Sequence, residues 1–363
     1  MKGQTINFAL ALVAITVVAA LANWLLTGVV RAHAVRNAIL DVPNQRSSHT
    51  APTPRGGGAA IAGVTLLFVA LAAAAGYLPL RLAVALFGGG ALVAVIGWLD
   101  DRHDVNAAWR ASAHFCAAGW AIFWLGGIEY IRFGHLGVIA GPLGNAIAVL
   151  AIAWMTNLYN FMDGIDGLAA VETAWVGAVG AAILFLGGAP GLAIVSSALA
   201  GSGAGFLIWN RTPARIFMGD VGSGFLGFMF ATLALAAHKT ATIPAIVWVL
   251  LLLVFIADST ITLFRRVLHG EPWHVAHRLH AYQRLVRSGF THPQVVGRIL
   301  VVNVLLATAA VVVFMRPGLA WPMMLCGVLI AAAAYVAVER RLGMWVAPPS
   351  DAATGVPNSR CAK

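Results

Sequence analysis

The chain of 363 residues is 60% hydrophobic, has only 10% charged residues and has a mean hydropathy of +0.86. A water-soluble globular protein carries far more charged surface than this composition supplies. The formal net charge of +10 suits anionic partners such as phosphates and also reflects membrane topology. Nucleic acid is not expected as a partner, because the basic residues are divided among short loops.

Apolar runs long enough to cross a bilayer recur along the whole chain. The first run is too long for a cleaved signal peptide and is taken as a span. The run at 222–237 is the least secure, because it is short and has polar ends. The sequence predicts an all-α polytopic integral membrane protein with about eleven transmembrane helices, at 7–30, 58–76, 81–99, 111–127, 135–156, 168–187, 190–209, 222–237, 241–263, 298–315 and 319–338.

The distribution of Lys and Arg predicts the orientation. One set of loops, with Arg298 and the C-terminal tail, holds 18 of the 23 basic residues, and the side rich in Lys and Arg faces the cytoplasm. The N-terminus is then outside and the C-terminus inside. We expect residues 1–345 to form one transmembrane catalytic domain and 346–363 a disordered tail. The active-site loops are 31–57, 100–110, 157–167, 210–221 and 264–297.

The carboxylates cluster on this predicted cytoplasmic side. Asp100 and Asp101 close the third span, Asp220 precedes the eighth, and Asp258 lies near one end of the ninth. Acids near hydrocarbon are costly and survive mainly where they have a function. Several at one depth indicate a divalent-cation site. The simpler alternatives are water-exposed anchors at 100–101, a helix N-cap at Asp220 and a snorkelling or helix-bonded side chain at Asp258.

The strongest local signal is N-x-x-N-x-x-D-G-x-D-G, which runs from Asn157 to Gly167. It sets amide and carboxylate oxygens at close intervals. In a helix, consecutive members of the set would lie on roughly one side, and in a loop the glycines would let the backbone approach a ligand. It lacks the length and terminal Glu of an EF-hand. Acids, amides and basic loops together describe a site for phosphoanhydride chemistry with Mg²⁺.

Two further loops carry polar groups. The front loop, Asp41 to Gly58, is a shaped turn rich in Pro and Gly, whose arginines, serines and backbone amides suit phosphate. Residues 274–287 are compatible with an amphipathic helix that has His277, His280 and Arg284 on a polar side. A solvated basic face is the simpler interpretation of that run.

These motifs resemble those of the polyprenyl-phosphate N-acetylhexosamine-1-phosphate transferases, which include phospho-N-acetylmuramoyl-pentapeptide transferase. The resemblance covers about residues 41–285. It rests on D-x-P-N-x-R-x-x-H with P-x-x-G-G, G-x-x-D-D, N-x-x-N-x-x-D-G-x-D-G-L, F-M-G-D-x-G-S and a His/Arg loop, in that order along the chain.

The resemblance implies that undecaprenyl phosphate attacks the β-phosphorus of a UDP-N-acetylhexosamine, releasing UMP. It implies Mg²⁺ as the cofactor, with Mn²⁺ as the alternative ion. It places the enzyme in the bacterial inner membrane, in contact with membrane lipids, and it is compatible with a homodimer. Whether displacement is direct or passes through a phospho-Asp stays open. In the implied site, Asp220 and Asn160 bind the metal, Asp100 binds the lipid phosphate, and Asp101 supports the metal and phosphate sites. Asp163 lies near the diphosphate, Gly164, Ile165 and Asp166 contact the uracil, and Phe217 stacks on it. The phosphates or the sugar are contacted by His277, Arg278 and His280, and further substrate contacts come from Arg46 and His49 of the front loop.

Two departures narrow the subgroup. The chain has A-H-R-L-H-A-Y-Q where muramoyl-pentapeptide transferases carry consecutive histidines, and Thr53 to Gly58 differ from their T-P-T-M-G-G. The A-H-R-x-H-A-Y-Q form resembles transferases that start O-antigen and other surface glycans, some of which use UDP-N-acetylfucosamine or UDP-N-acetylquinovosamine. The alternatives are a peptidoglycan transferase, a membrane transporter and a scaffold protein; acids at one face and no visible repeat disfavour a transporter.

Overall fold

The computed structural model describes residues 2–41, 51–133, 136–139, 141–240, 243–272 and 277–346. In these residues the regular secondary structure is helical, apart from two short antiparallel strand pairs, β1–β2 and β3–β4. The elements are α1 (Lys2–Arg36), β1 (Leu40–Asp41), β2 (Thr53–Pro54), α2 (Gly58–Ala74), α3 (Leu80–His103), α4 (Ala107–Leu125), β3 (Tyr130–Phe133), β4 (Leu136–Ile139), α5 (Gly141–Phe161), α6 (Leu168–Leu186), α7 (Pro190–Asn210), α8 (Asp220–Thr240), α9 (Ala245–Leu251), α10 (Leu253–Leu268), α11 (Ala281–Arg287), α12 (His292–Met315) and α13 (Ala320–Arg341).

The prediction of an all-α polytopic membrane protein is confirmed. Within the described residues, eight helices are long and apolar enough to cross a membrane, or nine if the bent pair α9–α10 forms one span. Each predicted span corresponds to a helix, but α2 has only 17 residues and α4 does not reach that standard of apolarity. The count of eleven and the orientation of the termini therefore stay predictions.

Helices α7 and α8 form the centre of the bundle. In their apolar stretches 83% and 89% of the residues are buried, compared with 11% in the stretch that includes α13. Small residues make this close packing possible. A Cβ on Gly201 or Gly205 of α7 would collide with the backbone of α1 at Thr16 or Ala20. The short span predicted at 222–237 thus lies in the helix with the largest buried share among the candidate spans of the described residues.

The structure corrects the predicted spans at two places. The span predicted at 241–263 is broken, because α9 and α10 meet at Leu252 with a bend of 75°. The span predicted from 135 begins only at Gly141, after the β3–β4 hairpin. The hairpin lies near the end of α8, where the Lys239 ammonium donates to the carbonyls of Gly126 and Gly127 at 2.7 and 2.8 Å.

The amphipathic helix predicted over 274–287 is wrong in its extent. Residues 277–280 are not helical, and α11 begins only at Ala281; residues 273–276 lie outside the described chain. Arg284, predicted on a polar side with His277 and His280, is completely buried. Its guanidinium points into the protein because an acid, Glu339 of α13, lies there at 2.6 Å.

Candidate active site

Three carboxylates meet where the C-terminal end of α3 touches the N-terminal end of α8. The two oxygens of Asp101 accept hydrogen bonds from the backbone amides of Asp220 and Val221 at 2.9 and 3.2 Å. Asp101 therefore caps α8, where a negative charge is favoured by the exposed amides and the helix dipole. Asp101, and not Asp220, thus binds the first amides of α8. The Asp220 carboxylate lies beside Asp100 and can bind other groups.

Two arginines bridge these carboxylates. Arg55 reaches Asp101 with Nε and Asp220 with Nη2, both at 2.8 Å. Arg110 binds Asp100 and, at 3.1 Å, the second oxygen of Asp220. The acid side chains are at most 13% exposed, whereas Arg55 and Arg110 are 31% and 36% exposed. The carboxylates form the floor of the site and the guanidiniums cover it from the solvent side.

Two motif glycines allow the helices to approach this closely. A Cβ on Gly97 would lie 2.6 Å from the backbone nitrogen of Val221, so only glycine lets α3 touch α8 here. Gly219 has a φ of +75°, and a Cβ there would strike the Asp101 carboxylate. The glycines of G-x-x-D-D and F-M-G-D thus build the contact that brings the acids of both motifs together.

The front loop carries Arg55 to this contact. The amide of Phe217 donates to Pro54 at 2.8 Å, and the amides of Gly57 and Gly58 donate to the carbonyls of residues 217 and 218 at 2.9 and 2.8 Å. A Cβ on Gly58 would collide with Gly222, so α2 and α8 start in backbone contact. The backbone of Arg55 is held close to Asp101 and Asp220 because the residues on either side of it bind the F-M-G-D segment.

The N-x-x-N segment joins the same site from the end of α5. The Asn160 side chain hydrogen-bonds the Asp220 carboxylate, and Asn157 lies 3.2 Å from Nδ1 of His114 on α4. Burial, reinforced by the neighbouring Asp220, raises the pKa of Asp163 well above its usual range. A bound cation would act in the opposite direction, because positive charge stabilises the ionised acid.

The rest of that segment is held by its neighbours. The Asp166 carboxylate accepts from the amide of Ala214 at 3.2 Å and faces His292 at 3.4 Å. The Ile165 side chain is only 5% exposed. A Cβ on Gly164 would collide with the hydroxyl of Tyr282. Gly164, Ile165 and Asp166 thus form an ordered edge, and their predicted contact with uracil stays a prediction.

Asp258 fixes the His/Arg loop. Its oxygens accept from the amides of Ala281 and Tyr282 at 2.8 and 3.1 Å, so it caps α11, and His280 Nδ1 lies 3.4 Å away. The Tyr282 hydroxyl donates to the carbonyl of Phe161, at the end of α5, at 2.9 Å. The snorkelling considered for Asp258 is wrong, because this carboxylate is buried and engaged by the protein.

The two histidines of the loop lie together, with ring centroids 4.8 Å apart, and His280 lies 6.1 Å from the Phe161 ring. Burial and the neighbouring His280 lower the pKa of His277 to about 3. His277 is therefore uncharged at neutral pH and can accept or donate a hydrogen bond there. Arg278 is partly buried close to Arg287.

The C-terminal end of α13 clamps this loop from behind. Glu339 accepts from Arg265 at 2.7 and 3.1 Å and from Arg284 at 2.6 Å. Beyond the helix, the Trp345 indole donates to Glu271 at 2.9 Å. These contacts tie α10, α11 and the chain after α13 together around the His/Arg loop.

The structure thus brings Asp100, Asp101, Asn160, Asp163 and Asp220 together. It sets His280 beside the end of α5 and His277 next to His280, whereas Arg278 lies close to Arg287. Phe217 lies next to the front loop. Arg46 and His49 lie outside the described residues. Arg55 was expected at phosphate only as one of the front-loop arginines, not as a partner of the acids. Arg110 and His114 were not predicted at the site, although they are four residues apart on α4 and so share a helix face.

The donor set suits a hard divalent cation rather than a transition metal. Among the described residues, no three His, Cys, Asp or Glu side chains are arranged as a complete metal cage. Mg²⁺ does not require one, because it keeps waters and takes one or two carboxylates plus substrate phosphates. Asp220 and the amide of Asn160 offer such oxygens, and the four clustered carboxylates outnumber the two guanidiniums that cover them.

The chain is similar to proteins of known families. Glycosyl transferase family 4 matches residues 83–238, which include α3, α5 and α8 with their acids. A probable undecaprenyl-phosphate N-acetylglucosaminyl 1-phosphate transferase of Bacillus subtilis (strain 168) is 32% identical over 308 residues, which cover 82% of this chain and 83% of the relative. The chain belongs to glycosyl transferase family 4. The resemblance to this transferase superfamily, predicted from the motifs, is confirmed.

Two further relatives show how far the likeness extends. A decaprenyl-phosphate N-acetylglucosaminephosphotransferase of Mycolicibacterium smegmatis is 30% identical over 361 residues, covering 90% of this chain and 87% of the relative. A phospho-N-acetylmuramoyl-pentapeptide-transferase of Heliobacterium modesticaldum is 46% identical, but only over 107 residues, 30% of this chain and 33% of the relative. The two relatives that cover 82% and 90% of this chain are thus both named for N-acetylglucosamine.

Proposed function

We propose that this integral membrane protein transfers an N-acetylhexosamine 1-phosphate from a UDP-sugar to undecaprenyl phosphate, releasing UMP. The observation that carries the proposal is the cluster of Asp100, Asp101 and Asp220 bridged by Arg55 and Arg110. The family and the names of the relatives support the reaction class. Carboxylates that face exchangeable guanidiniums suit the binding of two phosphorylated substrates, since guanidinium pairs well with phosphate.

The reaction forms a bond between an oxygen of the lipid phosphate and the β-phosphorus, and breaks the bond from that phosphorus to the bridging oxygen of UMP. Arg110 spans Asp100 and Asp220, so a phosphate held by Arg110 lies against both acids. We assign to Asp100 the orientation of the attacking lipid phosphate and acceptance of its proton. Arg55 would hold the diphosphate on the Asp220 side, opposite the attacking oxygen.

We further propose that Asp220 and Asn160 hold Mg²⁺, with Mn²⁺ as the alternative ion. When bound, the ion would neutralise the diphosphate and stabilise the leaving phosphate. Asp101 would support the site through the start of α8, since both its oxygens accept amides there. His277, Arg278 and His280 would meet the phosphates or the sugar, and Gly164, Ile165, Asp166 and Phe217 would meet the uracil.

The location and pathway of the reaction are part of the proposal. The excess of Lys and Arg in the loops that carry the site supports an inner-membrane enzyme whose site faces the cytoplasm. The A-H-R-L-H-A-Y-Q loop supports initiation of O-antigen or another surface glycan. The relatives' names make UDP-N-acetylglucosamine the first donor to test, before UDP-N-acetylfucosamine and UDP-N-acetylquinovosamine.

The test is UMP release by the purified protein with undecaprenyl phosphate, Mg²⁺ and a panel of UDP-N-acetylhexosamines. We expect lipid-dependent UMP release with one N-acetylhexosamine and none with UDP-N-acetylmuramoyl-pentapeptide. Asp220→Asn should abolish turnover, while Asp104→Asn, an exposed acid close to α3, should retain it. Turnover of the muramoyl-pentapeptide alone would replace the proposal with peptidoglycan synthesis, and full activity of Asp220→Asn would remove the metal assignment.

A further inference from the structure

A cavity lies behind the His/Arg loop, between α10, α11, α12 and α13. Its volume is about 330 Å³, and its wall is mostly apolar. The space exists because small side chains face it from three helices: Ala257, Ala281, Ala331, Ala334 and Ala337. Along α13 the lining runs from Ala331 to Arg341, ten residues or about 15 Å of helix. The cavity is thus a slot that follows the helix axis and has a cationic end.

Two guanidiniums stand at that end, on a shared aromatic ring. The Cζ atoms of Arg298 and Arg341 lie 3.9 and 4.3 Å from the centroid of Phe290, and both arginines line the cavity. Arg298 donates to the carbonyl of Gln294, and Arg341 to the Ser288 hydroxyl. Within the described part of the chain neither forms a salt bridge with an acid, so their charges are available to an anion.

The slot is separate from the catalytic carboxylates. Its inner wall includes Asp258 and Tyr282, and both are engaged by the protein. The Asp258 carboxylate accepts hydrogen bonds from two backbone amides of α11. These bonds compensate its negative charge, which therefore does not face a ligand in the cavity unpaired. The Tyr282 hydroxyl is turned toward Phe161. A ligand phosphate held by Arg298 and Arg341 would therefore lie behind the loop that carries His277 and His280.

We propose that this slot binds an anionic membrane phospholipid, with one acyl chain along α13 and the phosphate on Arg298 and Arg341. The charge at the mouth and the apolar walls complement the two halves of such a lipid. Basic pockets between helices near the membrane surface are suited to anionic head groups. A cavity of this size accommodates part of an acyl chain but not the much longer undecaprenyl chain. The bound lipid fills the space between α13 and α11 and so supports the His/Arg loop.

The test measures lipid binding to the full-length protein in detergent by native mass spectrometry, with phosphatidylglycerol, phosphatidylcholine, undecaprenyl phosphate and inorganic phosphate as probes. We expect phosphatidylglycerol to bind at least tenfold more tightly than phosphatidylcholine. A tenfold excess of undecaprenyl phosphate or inorganic phosphate should leave most of it bound. Equal binding of the two phospholipids would overturn the proposal. Displacement by inorganic phosphate would indicate a simple anion site, and displacement by undecaprenyl phosphate a substrate site; either result would overturn it.

Paired variants separate the charge from the slot. Arg298→Gln with Arg341→Gln should weaken phosphatidylglycerol binding about thirtyfold, whereas Arg340→Gln, an exposed neighbour outside the lining, should change it less than threefold. Ala334→Leu fills the slot and should abolish binding, while Ala333→Leu on the exposed side of α13 should not. Size-exclusion profiles and melting curves verify folding. Wild-type affinity in folded Ala334→Leu, or in the folded double arginine variant, would refute the site.

Discussion

Glu339→Gln should destabilise the protein far more than removal of the buried arginine that it neutralises. Arg284 is completely buried, and its Nη1 binds Glu339 at 2.6 Å and the carbonyl of Leu342 at 2.9 Å. Its Nε and Nη2 have no partner among the described residues. Glutamine keeps the size of the side chain but leaves a buried cation without its counter-charge, which is the costly way to break an ion pair.

The magnitude follows from the exposure of the two groups. Removing one member of a fully buried pair costs about 3–5 kcal/mol. Because the Glu339 side chain is 32% exposed, water screens part of that cost, and we expect about 2 kcal/mol. Arg284→Met removes the cation as well and leaves Glu339 paired with Arg265, so it should stay within about 1 kcal/mol of the wild type. The double variant should resemble Arg284→Met rather than the sum of the two changes.

The assay is unfolding by SDS titration in mixed detergent micelles, with Glu129→Gln as an exposed-acid control. UMP release from the same samples reports whether the His/Arg loop, which α11 anchors, loses its position before the bundle unfolds. The reasoning is refuted if Glu339→Gln unfolds at the same SDS fraction as wild type. It is equally refuted if Arg284→Met adds its own loss to that of Glu339→Gln.

Three other predictions test the site and the topology. Phe217→Ala should raise the KM for the UDP-sugar more than that for undecaprenyl phosphate, and an equal rise in both would contradict uracil stacking. Reporter fusions at residues 239 and 283 should report outside and inside; the reverse result would overturn the orientation. Because burial holds the pKa of His277 near 3 against about 6.5 unfolded, the unfolded state binds more protons, so stability should fall as pH drops below about 6.5. His277→Gln should remove part of that fall in melting curves measured between pH 7 and 5, and an unchanged slope would show that His277 is not buried in its neutral form.

The acids of the site could be predicted from the sequence because charge is rare in this chain. Asp100, Asp101 and Asp220 were noticeable against long apolar runs, and their chemistry limits what they can do near a membrane. Their partners were harder to find. Arg55 was expected at phosphate with the other front-loop arginine, but nothing in the sequence paired it or Arg110 with these acids, since orientation arguments count every loop arginine alike. Only the fold shows that both guanidiniums reach the same carboxylates.

The errors of prediction have physical causes too. The break at Leu252 has no Pro or Gly at the bend itself to announce it, so hydropathy alone gave one span. Arg284 fitted an amphipathic pattern, but its partner Glu339 is 55 residues away in the chain, and tertiary pairing overrides local periodicity. Glu172, buried on α6 and hydrogen-bonded by Asn303 of α12, was not noticed for the same reason.

The way in which α8 is fixed bears on how the site responds to a substrate. Asp101 is bound to the first amides of α8, and Gly58 and Gly222 are in backbone contact, so the carboxylates cannot move apart without separating helices. Arg55 and Arg110 are about one third exposed and hang on long side chains. The two guanidiniums therefore act as mobile counter-ions of carboxylates that the helices hold in place. We expect substrate binding to work as ion exchange, in which the guanidiniums leave the carboxylates for the incoming phosphates, so that two side chains move rather than the helices.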